Sequence, residues 1–240
     1  MLFSTLYRAQ LLRRYKRFLA DVEWPDGRQE TIYCPNTGAM TGCGEAGSEV
    51  WLSRSDNPKR KYTYTWELTK TADEQWICIH SSRANAVVKE ALEAGAIEPL
   101  SGYQSINSEV KCGAENSRID FLLSTAQQHC YVEVKSVTLQ AETQPGLGLF
   151  PDAKSDRGRK HLRELISLKQ QGHRAVLLFC VLHTGIQKVA AAEAIDPAYA
   201  ETLLQAQEAG VEVLVYGVSI DVKQMRCGKA LVFQGSSMLR

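Results

Sequence analysis

The segment that most restricts how this chain can fold runs from Arg118 to Lys135. It reads Arg-Ile-Asp-Phe-Leu-Leu, a polar stretch from Ser124 to Gln128, then Cys-Tyr-Val-Glu-Val-Lys. Two apolar, β-branched runs joined by a short polar piece predict a hairpin. Because strand side chains alternate between faces, Ile119, Phe121, Val132 and Val134 are expected in one core, with Arg118, Asp120, Tyr131, Glu133 and Lys135 pointing the other way. One sheet surface would then hold two carboxylates and an ammonium.

The rest of the composition sets the class. At 240 residues the chain can bury a full core, and two domains are expected, 1–81 and 82–240. Hydrophobic content of 44% with 23% charged residues is ordinary for a globular protein, and no apolar run approaches the ~20 residues of a membrane span. The first residues lack the pattern of a secretion signal, and the seven scattered cysteines form no C-x-x-C pair, so reduced thiols and a cytoplasmic location are expected. A zinc site from Cys34, Cys43 and a distant His is a weaker alternative. Residues 1–70 carry 11 Lys and Arg against 8 Asp and Glu, and the remainder carries 17 against 19. The basic excess sits at the front.

Residues 11–80 read as short strands: Arg13 to Val22, Glu30 to Cys34, Glu49 to Ser53, Thr63 to Thr69 and Gln75 to His80. About five strands in ~70 residues predict a small barrel of the oligonucleotide/oligosaccharide-binding kind. Arg13, Arg14, Lys16 and Arg17 surround Tyr15, and Lys59, Arg60 and Lys61 precede Tyr62, Tyr64 and Trp66. Alternation would put those three aromatics on one strand face, to stack bases while the cations meet phosphates. The competing reading is barrel core with a solvated rim.

From Ser82 the period becomes helical, with Ala84, Val87, Val88, Ala91 and Leu92 in phase up to Gly95. Ile97 to Ile106 suggests a broken strand and Asn107 to Asn116 a loop, followed by the hairpin. A helix capped by Ser155 or Asp156 runs to Gln171, with Arg157, Arg159, Lys160 and His161 crowding its start, where cations oppose the helix dipole and suit an anion. Ala175 to Leu182 is a buried central strand, a helix opens at Asp196-Pro197, and Val211 to Val218 is another strand.

Asp120, a short gap, then Glu133-x-Lys135 resembles the PD-(D/E)xK nuclease-like superfamily, with Ile119 in place of the eponymous Pro. Nearly the whole chain is also similar to the bacterial sugar fermentation stimulation protein A family, through blocks Leu11 to Val22, Cys34 to Met40, Ser55 to Tyr62, Ser117 to Leu123 and Tyr131 to Leu139. The resemblance implies an α/β protein of two domains. These are an N-terminal five-stranded OB-like β-barrel and a C-terminal restriction-endonuclease-like α/β domain with a mixed central sheet. It implies sequence-independent DNA binding and a regulatory part in maltose and related sugar use.

Two carboxylates and the Val134 carbonyl suit Mg²⁺ or Mn²⁺, and Lys135 could orient water or meet charge on a phosphate. In the superfamily a Glu from the preceding helix often completes the shell. Glu90 is the choice here, with Glu93 and Glu109 as rivals. Lys160 or His161 could touch the phosphate backbone. A surface salt bridge between Glu133 and Lys135 is the plain alternative. Three functions follow in order: DNA binding, metal-dependent cleavage of DNA or RNA, and oligosaccharide binding.

Overall fold

The structure is a computed structural model and describes residues 1–112 and 117–235. In the first domain, β1 (Leu6–Tyr15) and β2 (Leu19–Glu23) form a hairpin, and β3 (Gln29–Tyr33) pairs with β2. On the other side of β1 lie β4 (Glu49–Arg54), β5 (Tyr64–Lys70) and β6 (Trp76–Cys78). A parallel bridge from Tyr33 to Thr65 joins β3 to β5 and closes the barrel, with β6 added at its edge. Leu11, Val22, Ile32, Val50, Leu52 and Trp66 fill it.

Two details depart from the sequence reading. The segment from Arg13 to Val22 is not one strand but a reversal, turned by Lys16, Arg17 and Phe18. Lys16 and Arg17 take left-handed backbone (φ 49° and 65°), so this turn lacks the Gly or Asn that usually announces one. In β5, Trp51 pairs with Leu68 and Leu52 with Trp66, leaving Glu67 bulged. The bulge breaks alternation, and Trp66 enters the barrel core while Leu68 joins the core of the second domain.

The second domain opens with α1 (Arg83–Glu93) and a single 3₁₀ turn at Glu98–Leu100. Then come β7 (Ser105–Cys112), β8 (Ser117–Ser124), β9 (His129–Val137), β10 (Leu139–Gln140) and β11 (Leu147–Phe150). After them follow α2 (Asp156–Gln170), β12 (Arg174–Val181), β13 (Lys188–Ala191), α3 (Pro197–Glu208), β14 (Glu212–Ile220), β15 (Met225–Ala230) and β16 (Val232–Phe233). The main sheet has the order β15-β14-β12-β9-β8-β7, and its middle strands β9, β12 and β14 are parallel. A smaller sheet runs β10-β11-β13-β16.

β12 is buried on both faces, as its unbroken apolar run requires. Val176, Leu178 and Cys180 pack with α1, whereas Leu177, Phe179 and Val181 pack with α2 and α3. Ser155 caps α2 by accepting from the Gly158 amide (3.0 Å), and Asp196 caps α3 by accepting from that of Tyr199 (3.0 Å). The loop expected over 107–116 is strand through Cys112, and 113–116 lie outside the described residues. β7 is an edge strand and tolerates polar side chains that a central strand would not.

The two domains interlock. The Cys78 amide donates to the Leu182 carbonyl and that of Thr184 to the Trp76 carbonyl, both at 2.9 Å. Beside them Glu67, 1% exposed, accepts from Ser53, His80 and both arms of the Arg83 guanidinium. Burial alone would raise its pKa, but His80 and Arg83 outweigh that and hold the carboxyl down at about 2. His183 is also buried here, its Nδ1 accepting from the Gly185 amide (3.0 Å), so neither it nor His80 is a solvent-facing histidine. Met1 to Phe3 lie along β15 rather than in the barrel.

Cys34, Cys43, Cys78, Cys130, Cys180 and Cys227 are buried free thiols. The side chain of Cys112 lies outside the described part. Among the described residues no helix is long and apolar enough to cross a membrane.

Candidate divalent-cation site and cationic barrel end

The site forms where the predicted hairpin comes apart. β8 and β9 pair from Ser124–His129 up to Phe121–Val132 and then separate. At that point the Asp120 carboxylate takes the place of a strand partner, its Oδ2 accepting from the Val134 amide at 2.7 Å. The parting also changes the faces. Ile119 was expected beside Phe121, Val132 and Val134, but it packs in the opposite core, with α2 and α3. Across from Asp120 stands Glu109, since Ser108 pairs with Phe121 and Val110 with Ile119. Glu109 is exposed and left-handed (φ 57°), a rare setting for a non-glycine residue inside a strand.

The other oxygen of Asp120, Oδ1, accepts from Asn85 Nδ2 on α1 at 2.6 Å. Burial first, and the nearby Glu133 charge second, push this carboxyl up to about 6 despite those two hydrogen bonds.

Glu133 is 2% exposed. Its Oε1 accepts from Lys135 Nζ (2.7 Å) and from His161 Nδ1 on α2. His161 Nε2 lies 3.4 Å from Arg157 Nε and its Nδ1 3.2 Å from Lys135 Nζ, so Glu133, Lys135, His161 and Arg157 form one connected polar network. Burial works against ionisation of Glu133, yet His161 and Lys135 together hold its carboxyl below the usual range. Its second oxygen, Oε2, is buried without a hydrogen-bond partner. So is the hydroxyl of Tyr199, which packs against Phe150 at the start of α3.

Several expected members lie elsewhere. Glu90 is 59% exposed on the side of α1 turned to Met1, whose amino group it binds at 2.5 Å. It stands five residues from Asn85, about 140° away around the helix. Helix phase therefore puts an amide, not an acid, on Asp120. Glu93 pairs with Lys89 (2.8 Å). His161, expected to meet phosphate, is buried on Glu133. Arg159 is held between Asp156 and Asp196 Oδ1, which offsets the charge conflict expected at the start of α2. Arg157 is exposed and Lys160 half-buried on that helix.

On the barrel, Trp66 is fully buried and donates to the Leu68 carbonyl (3.0 Å), so it is core and no stacking surface. Tyr64 packs edge-on against Trp24 (4.8 Å between ring centres), and Tyr62 precedes β5. The three aromatics do not form one open stripe, so the oligosaccharide reading rests on the barrel type alone. Arg14 is also structural, one Nη2 donating to the carbonyls of Arg17, Asn36 and Gly38 at 2.9–3.0 Å. Arg13 binds Asp21 (2.8 Å). Lys16, Arg17, Lys59, Arg60 and Lys61 are exposed.

The acidic cluster fits a hard cation. Two desolvated carboxylates feel each other's charge, one with its pKa raised and the other with a bare buried oxygen, and both offer oxygen. Among the described residues no three His, Cys, Asp or Glu side chains are grouped to hold an ion. A two-carboxylate set completed by carbonyl and water suits Mg²⁺, which keeps much of its hydration. Asn85, His161 on Glu133 and Tyr199 carry no motif. Only the phase of α1, and the three-residue step from Gly158 to His161 on α2, would have pointed to the first two.

The geometry has counterparts. A family model for the sugar fermentation stimulation protein RE domain matches residues 82–224, and one for the SfsA N-terminal OB domain matches 12–79. A sugar fermentation stimulation protein homolog of Psychromonas ingrahamii is 60% identical over 217 residues, 90% of this chain and 95% of its own. One from Pseudoalteromonas atlantica is 53% identical over 230 residues, 95% of this chain and 97% of its own. The solved structure of Pyrococcus furiosus SfsA in complex with Ca²⁺ superposes with a TM-score of 0.86 at 26% identity, covering 98% of both chains.

Proposed function

The chain belongs to the sugar fermentation stimulation protein family, and from that premise we propose that it binds DNA with little regard to sequence and cleaves phosphodiesters at Asp120, Glu133 and Lys135 with a divalent cation. The observation that carries this reading is the buried, unpartnered Oε2 of Glu133 beside a carboxyl whose ionisation its surroundings resist. Such a pair is poorly neutralised by the protein alone. Mg²⁺ or Mn²⁺ would supply a polarised water and neutralise charge on the phosphate. Asp120 and Glu133 would hold it, with the Val134 carbonyl, and Glu109 is a further candidate donor from the facing strand. His161 orients Glu133 through Oε1, and Lys135, on the same oxygen, is placed to meet developing negative charge. The presence of Ca²⁺ in the Pyrococcus furiosus structure supports the choice of a hard cation.

A second reading is DNA binding without cleavage, serving the regulatory part in maltose use. Asn85 at the position where an acid was expected favours it, as does the ammonium of Lys135 being held by Glu133. One experiment separates the two: labelled duplex, single-stranded and branched DNA incubated with Mg²⁺ or Mn²⁺, with the parent compared to Asp120→Ala and Lys135→Ala. Cleavage by the parent alone is expected. Binding without cutting selects the second reading, and equal cutting by all three proteins refutes catalysis at this site.

A further inference from the structure

The β1–β2 turn has a composition that folding alone does not require. Three residues join the strands, and the first two, Lys16 and Arg17, occupy left-handed backbone that L side chains avoid. The third, Phe18, is 45% exposed although its own carbonyl is fixed by the Cys34 amide at 2.9 Å. A large apolar side chain is thus left half exposed on a pinned backbone. The tip is braced as well: the Arg14 guanidinium ties the Arg17 carbonyl to those of Asn36 and Gly38, and Arg17 Nε donates to the Thr37 carbonyl at 3.1 Å.

Three further cationic positions are drawn to the same end. Leu19, next to Phe18, pairs with Tyr33, and Tyr33 pairs with Thr65. The Arg60 guanidinium lies 5.7 Å over the Tyr33 ring and donates to Thr65 Oγ1 (3.0 Å), which places the Lys59–Lys61 loop beside the turn. The braced loop also reaches the second domain, because Gly38 lies against Asp152, in the segment that leads into α2 and so to His161.

We propose that Phe18 is a stacking platform for an unpaired base, flanked by Lys16, Arg17 and the Lys59–Lys61 loop as phosphate contacts, so that the protein prefers nucleic acid with single-stranded segments to blunt duplex. This rests on the reading that the protein binds nucleic acid. The chemistry selects the ligand: a half-exposed apolar ring on a held backbone suits a planar base, five exposed cations complement a polyanion, and a paired base inside a duplex is shielded from the ring. The surface differs from the Tyr62, Tyr64 and Trp66 stripe that the sequence suggested, and it needs no strand alternation.

The test uses the full chain without divalent cation, and fluorescent 20-mers that are single-stranded, blunt duplex, or duplex with a single-stranded flap. The parent should bind the flap and the single strand more tightly than blunt duplex. Phe18→Ala should remove roughly ten-fold of affinity for the unpaired substrates, as loss of one stacked base implies, with the salt slope unchanged. Phe18→Tyr should restore it, and Lys16→Ala with Arg17→Ala should reduce the salt slope by about two. If the parent binds DNA but Phe18→Ala matches it on all three substrates, the platform is wrong and the binding reading stands. If the parent binds none of them at low salt, the binding reading fails and takes the platform with it.

Discussion

Replacing Asp120 by Asn should stabilise the cation-free protein while destroying its cation site. The carboxyl moves from a reference value of 3.8 to about 6 in the folded chain. A raised acid pKa means that ionisation is harder in the folded state than in the unfolded one. The penalty is therefore absent below pH ~4, grows as pH rises towards 6, and is complete above pH ~7. Two units at ~1.4 kcal/mol each give about 3 kcal/mol, and partial exposure reduces that to on the order of 2 kcal/mol. Asn is nearly isosteric: its carbonyl can keep accepting from the Val134 amide, and its NH2 can donate to Asn85 Oδ1 once the Asn85 amide turns over. Urea unfolding in excess chelator at several values between pH 4 and 7.5, parent against Asp120→Asn, measures the difference. The variant should gain little near pH 4 and about 2 kcal/mol at pH 7.5. Added Mg²⁺ should then stabilise only the parent. A variant no more stable than the parent at pH 7.5, or a gap indifferent to pH, would refute the reasoning.

Three further outcomes follow from the same structure. Glu67→Gln should destabilise by about 3 kcal/mol at pH 7, because it leaves Arg83 and His80 without their buried anion. Since the folded-state pKa is depressed to about 2, the loss should be full above the ordinary carboxylate range and shrink as pH falls towards 2, a trend that acid-range denaturation curves would show or exclude. Gly38→Ala would set a methyl 2.5 Å from Asp152 Oδ2, the end of a side chain that can swing aside, so stability should fall by no more than about 1 kcal/mol. A double variant with Asp152→Ser should recover most of that, and no recovery would mean that the clash lies elsewhere. Glu109→Gly should raise the unfolding midpoint by relieving left-handed backbone, worth about 1 kcal/mol, while calorimetry shows weaker Mg²⁺ binding. Unchanged cation affinity would remove Glu109 from the site.

What could be read in the sequence was whatever is written locally. The hairpin from Ser117 to Val137, the helical phase of Ala84, Val87, Val88 and Ala91, and the doubly buried β12 all follow from side-chain period, and the structure has each of them. Lys135 pairs with Glu133, and Asp120 feels the charge of both, because the hairpin sets their spacing. The failures share a cause: each depends on a break in period that leaves no mark in composition. Lys16 and Arg17 turn the chain without glycine, Glu67 bulges and sends Trp66 and Leu68 to separate cores, and the parting of β8 from β9 turns Ile119 over. Glu90 failed for a related reason. A helix face is set by what it packs on, and α1 is rotated so that Asn85 meets the sheet.

The seam at Trp76–Cys78 and Leu182–Thr184 makes two apparent modules mechanically indivisible. A fragment severed near residue 80 would carry off Leu68 and Cys78, both seated in the other half's interior, and would strip main-chain partners from Leu182 and Thr184, just past the end of β12. Each severed piece would present a raw apolar scar with unsatisfied amides, a surface prone to self-association. Heating should accordingly melt the molecule in one step, and proteases should find no clean waist at which to divide it.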